Sequence, residues 1–145
     1  MKGPQLLLFL ACGAFVLFAY FVFEVLVFRY SCKLARVPRP SILRSISIVI
    51  VVLFAVSVAE GALGSIIREA YVAGGYPLWE AGFVAFFLGL PVHMAVCSAL
   101  HAKMLDRPLS EGLSVWIVEK SIKLGLVSIG AGIFALLVLA NKANG

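Results

Sequence analysis

Continuous apolar runs, rather than alternation, dominate the pattern of this chain. Residues 6–28, 45–67, 81–100 and 121–140 each form a stretch of almost wholly apolar sequence. About 20 such residues let a helix cross a hydrocarbon core of roughly 30 Å. A membrane β-barrel would need strands of alternating polarity, which these runs do not contain. The pattern therefore predicts an all-α integral membrane protein, a single domain built as a four-transmembrane-helix bundle. The final stretch is longer than one span. Its first part, 109–120, reads as a short interfacial amphipathic helix before the last span, with Trp116 at headgroup level and Glu119/Lys123 paired at i,i+4. A single long tilted helix starting near Pro108 is the alternative.

The breaks between runs carry their own signals. Val37-Pro-Arg-Pro40 holds two stiff X-Pro steps, which end the first helix. Gly74, Gly75 and Pro77 punctuate the second turn, flanked by Tyr71, Tyr76 and Trp79 as an aromatic belt. Asp106 with Pro108 reads as a helix start, and Pro91 as a bend within the third span. The first run is too long for the apolar region of a signal peptide, about 7–15 residues, so it reads as a span.

Composition agrees with this pattern. Hydrophobic residues make up 63% of the 145 residues, against about 45–50% in soluble domains. Such a chain uses lipid as part of its solvent. The net charge of +5 could mean nucleic acid in a soluble protein, but here the basic residues flank the spans. They predict topology and a face for anionic headgroups, and no nucleic-acid partner. That face is expected at Arg29, Lys33, Arg36, Arg39 and Arg44. Together with Lys103, Arg107, Lys120 and Lys123 on the same side, it outweighs Lys2, Arg68 and Lys142 on the other. The excess places both termini outside the cytoplasm. A bacterial inner membrane is the expected location; the lack of an Asn-x-Ser/Thr site is consistent with it and decides nothing alone. Cys12, Cys32 and Cys97 have no paired spacing, so a disulfide framework is not expected.

Three features bear on function. Glu60 lies about 15 residues into its span, roughly 22 Å from the cytoplasmic end at helical rise. A carboxylate there costs a few kcal/mol unless it is protonated, paired or wetted. It shares a helical face of about 140° with Ser57, Gly61, Gly64 and Ser65. Glu60, His93 and Glu24 are the candidate ion or proton sites. Arg68 is the alternative structural partner for Glu60, and Arg29 or Lys33 for an interfacial Glu24. The second feature is a stripe of small residues, Ser121, Gly125, Ser128, Gly132 and Ala135, within an arc of about 80°. In lipid, small residues at such spacing mark a tight helix interface. Its expected partner is the Ser57/Gly61/Gly64 face or a second copy. The third feature is the ladder of His93, Cys97 and His101. These residue types suit copper or zinc at i,i+4, but His93 and His101 stand about 12 Å apart along a helix and cannot share one ion. Here His93 reads as a hydrogen-bonded group of the bundle and His101 as a headgroup-level residue. No metal or other cofactor is expected.

No H-E-x-x-H, G-x-S-x-G, phosphate loop or paired-cysteine motif occurs. The expected function is therefore non-enzymatic: a small multi-pass subunit or scaffold that associates with itself or a larger membrane complex. The alternative is a homo-oligomeric ion- or proton-coupled channel or transporter that uses Glu60.

Overall fold

The computed structural model describes residues 3–143, with side chains at 7, 9–139 and 141. The chain forms four helices, α1 (Gly3–Leu34), α2 (Ile42–Ala73), α3 (Leu78–Leu105) and α4 (Leu109–Ala143). All four are long and apolar enough to cross a membrane, so the protein is a multi-pass integral membrane protein. Connections of only a few residues force sequential neighbours to run antiparallel. One end of the bundle therefore gathers the C-termini of α1 and α3 with the N-termini of α2 and α4, and it is called the basic end below.

Each helix overruns its predicted span, because polar residues beyond the apolar runs still satisfy their backbone groups best in a helix. The largest difference concerns 109–120. This stretch is not a separate interfacial helix but the first turns of α4, which continues without interruption to Ala143. No proline or turn signal interrupts the segment. Glu119 and Lys123 pair across the expected junction at 2.6 Å, which favours an unbroken helix. Pro91 likewise lies inside a continuous α3.

Helix ends at the basic end are tightly specified. Ser41 caps α2, its hydroxyl accepting from Arg44 N at 3.3 Å. After α1, Val37 N–H donates to Cys32 O at 2.9 Å and Arg36 N–H to Lys33 O at 3.2 Å, a Schellman termination with Arg36 in the left-handed position at φ 59°. Val37 and Cys32 then pack in the same buried cluster. Asp106, expected to open α4, instead closes α3 in the same way at φ 55°. Left-handed backbone costs a side-chain-bearing residue about 1 kcal/mol or slightly more, and glycine does not incur that cost. Arg36 is exposed, with no hydrogen bond from its side chain among the described residues. Arg36→Gly is therefore expected to raise stability by about 0.5–1 kcal/mol, read as a higher melting temperature in detergent. A lower one would contradict the cap assignment.

The packed part of the bundle is its basic half. Phe28, Cys32, Val37, Ile48, Val49 and Val115 form its apolar centre, with contributions from α1, α2, α4 and the first connection. Small buried residues let the helices approach here: Ser31 on α1, Ser45 on α2 and Ser98 on α3. A Cβ added to Gly112 of α4 would collide with Ser98 O and with Ala102 N at 2.8 Å. The other half is open. Every side chain from Phe9 to Tyr20 of α1 and from Leu124 to Leu139 of α4 is exposed.

Candidate functional site

Where the packed half meets the open half, charged groups from all four helices converge. On the α2–α3 side, His93 Nδ1 lies 2.7 Å from Glu60 Oε1, a hydrogen bond between imidazole and carboxyl group. This pair unites two of the predicted site residues. Glu60 joins no ion pair with Arg68 among the described residues; α2 runs Ile42–Ala73, which sets Glu60 nearer the helix middle, where α3 supplies the partner.

The third candidate, Glu24, pairs with neither Arg29 nor Lys33 among the described residues. It is buried at 4% relative exposure and accepts from Lys123 Nζ of α4 at 2.5 Å, while the same ammonium donates to Glu119 at 2.6 Å. The reason is positional. Ten residues of α1 follow Glu24, so it faces the bundle interior well before Arg29 or Lys33 reaches the surface. His101 is likewise enclosed by the bundle. It is 2% exposed, lies 5.0 Å from the Phe28 ring between centroids, and sets Nε2 4.0 Å from Glu119. Its Nδ1 is buried without a partner.

Two spaces adjoin these groups. An inner pocket of about 80 Å³ is bordered by Glu24, His93, Cys97, His101, Glu119 and Lys123, among others. At about 30 Å³ per water it has room for a small water cluster with polar partners on several sides. A larger cleft of about 790 Å³ opens between α2, α3 and α4 toward the open half. Glu60, His93, Trp116, Lys120 and Lys123 form its polar floor, and Leu63, Phe86, Leu90, Ile117, Leu124 and Val127 its walls. Lys120 borders both spaces and has no ion pair among the described residues. The ladder of His93, Cys97 and His101 is not assembled for metal: no group of three His, Cys, Asp or Glu among the described residues is placed to hold an ion.

The remaining predicted residues divide. Of the basic face, Lys33, Arg36 and Arg39 are exposed, and Lys33 Nζ stands 6.0 Å from the Tyr30 ring centroid. Arg29 keeps its Nε buried and unpartnered. Arg44 is engaged within the bundle, donating through Nη2 to Met104 O at 2.6 Å and to Asp106 at 2.7 Å. Lys120 and Lys123, counted above as flanking charges, belong to the interior. The small-residue stripe Ser121, Gly125, Ser128, Gly132 and Ala135 is exposed along its whole length, and Gly125 and Gly132 have open space beside them. Ser57 and Gly61 are also exposed, while Gly64 borders a gap shared with Ala81, Gly82 and Ala85 of α3. The α2 and α4 faces expected to meet do not.

Lys123, Glu119 and Lys120 are the site members that sequence reasoning missed, while His101 was singled out only as part of the ladder with His93 and Cys97. A usable signal was their depth: on a helix starting at Leu109, Glu119 and Lys123 lie three to four turns in. No family model, curated protein or solved structure matches this chain.

Proposed function

We infer that the chain is a multi-pass membrane subunit that works by helix–helix association, with a second copy or within a larger membrane complex. The observation carrying this reading is the exposed α4 stripe. Small residues at 4-3-4-3 spacing are an interface pattern in lipid, yet nothing among the described residues covers Gly125 or Gly132. The exposed stretch from Phe9 to Tyr20 of α1 supports it from the other side. Arg29, Lys33, Arg36, Arg39, Lys103 and Arg107 cluster at the basic end, while Arg68 is the basic residue described at the opposite end. This asymmetry supports a cytoplasmic basic end resting on anionic headgroups, with both termini outside the cytoplasm. Lys2 lies outside the described residues, as does the Lys142 side chain. The lack of glycosylation sites is in keeping with a bacterial inner membrane. The test is the mass of the gently purified particle, with Gly125→Leu and Gly132→Leu as interface variants. The parent is expected as an oligomer or with a stoichiometric second chain, and the variants as folded monomers. A monomeric parent without any partner sinks this reading.

The Glu60–His93 pair favours a second reading, an oligomeric ion- or proton-coupled channel or transporter. Here an imidazole bonds a carboxyl group in the middle of a span, where ionisable side chains mark ion and proton pathways. Glu60→Gln separates the two readings. Under the first, assembly survives and no flux is involved; under the second, pH-dependent flux in vesicles falls at least about tenfold while assembly is retained.

A further inference from the structure

We propose that the lateral cleft between α2, α3 and α4 is a binding site for a single-chain amphiphile with a carboxylate head, an acyl carboxylate whose head meets Lys120 and whose chain lies along the apolar walls. The volume of about 790 Å³ falls in the range of small-molecule sites, roughly 300–1,000 Å³, which are typically apolar with a few convergent polar groups. At the floor the chain leaves an ammonium without a carboxylate and, beneath the surface, an indole N–H without an acceptor. Lys120 has no carboxylate partner among the described residues, and the buried Trp116 Nε1–H has no acceptor. An unpaired ammonium part-way along a membrane helix is costly, and an anion relieves that cost.

The charges bordering the cleft also select an anion. Glu60 is answered by His93 at 2.7 Å, and the carboxylates that hold Lys123, Glu24 and Glu119, border the inner pocket and not the cleft. Lys120 and Lys123 thus face the cleft against a single, already paired carboxylate. The walls, including Leu63, Phe86, Leu90 and Leu124, fit a hydrocarbon chain and offer nothing to a second polar group. A diacyl phospholipid would have to sink a large hydrated headgroup between three helices. A carboxylate is the small anion that fits, and the open side of the cleft admits it from the bilayer.

Trp116 supplies the readout. The chain contains two tryptophans, and Trp79 stands 73% exposed at the start of α3, away from the cleft. The experiment uses the full chain carrying Trp79→Phe in vesicles, titrated with bromine-labelled stearate. Saturable quenching of Trp116 is expected. Lys120→Met should weaken apparent affinity about tenfold, the usual scale for one charge-assisted hydrogen bond, with Lys120→Arg restoring most of it. Bromine-labelled stearyl alcohol should quench only in proportion to its membrane content. Equal saturable quenching by the alcohol would overturn the proposal. So would saturation by bromine-labelled phosphatidylglycerol, which would assign the site to a lipid phosphate. Absence of any saturable phase would mean a protein partner or bulk lipid fills the cleft, and overturns it as well. Should Lys120→Met fail to fold, competition of unlabelled oleate against oleyl alcohol on the parent decides the same point.

Discussion

Lys123→Met should be the most damaging single substitution in the chain, lowering stability by about 3–5 kcal/mol. One ammonium serves two carboxylates here, at 2.5 Å from Glu24 and 2.6 Å from Glu119. The Glu24 side chain is 6% exposed and that of Glu119 12%, so without the lysine each is left only the few waters that the small inner pocket can hold. Two carboxylates left facing each other in a low-dielectric interior repel, and each also bears its own desolvation cost. Helix α1 suffers most. Its side chains from Phe9 to Tyr20 are exposed, and its second half joins α4 through this ion pair and the apolar cluster around Phe28. The variant should lose α1 docking first, seen as earlier unfolding in a detergent or denaturant titration and as new protease sensitivity in the first connection. The combined variant Glu24→Gln, Glu119→Gln, Lys123→Met should regain most of the loss, because neutral groups in the same positions leave no buried charge unpaired. A Lys123→Met protein as stable as its parent would show that the three charges are not buried together.

How much of this arrangement could be read beforehand depends on the type of signal. Helix existence follows from uninterrupted apolar runs, because every backbone group in lipid must be satisfied within its own segment, so four spans were legible. Glu60 and His93 were also legible as individual polar intrusions. Their pairing was not, since a 33-residue separation carries no local pattern. The Glu119–Lys123 pair was legible, but the link from Lys123 to Glu24 was missed for one reason. Charges near the end of an apolar run look like a water boundary, whereas partners on other helices can neutralise them inside. Splitting α4 at Lys120 followed from that assumption. The small residues show the converse. The regular stripe on the second half of α4 is conspicuous and unpacked within the chain, while the contact the fold uses, Gly112 against Ser98 and Ala102, involves a lone glycine and has no period to detect.

Gly112→Ala is the second large effect expected, despite being a one-methyl change in a helix. On propensity alone alanine should help by about 1 kcal/mol, since glycine is the poorer helix former. Packing reverses the sign. A Cβ at this position meets Ser98 O and stands 2.8 Å from Ala102 N and 2.9 Å from Ala102 Cβ. Two of those atoms are backbone, so no rotamer change can make room, and α3 and α4 must separate. Overpacking of this kind costs typically about 1–3 kcal/mol. The cost falls where Ser98, Ala102 and Val115 are otherwise buried, so the shift would also loosen the floor on which His101 and Glu119 sit. A net loss of about 1–2 kcal/mol is therefore expected for alanine, and more for valine, measured by thermal unfolding in detergent. Gly125→Ala is the matched control. It adds the same methyl group to the same helix where the surroundings are open, and propensity should make it neutral or slightly stabilising in the isolated monomer. If the two variants behave alike, close contact at Gly112 is not what holds α3 to α4. If only Gly112→Ala is impaired, the crossing of α3 and α4 at Ser98 and Ala102 is the fixed point from which the open half of the bundle diverges.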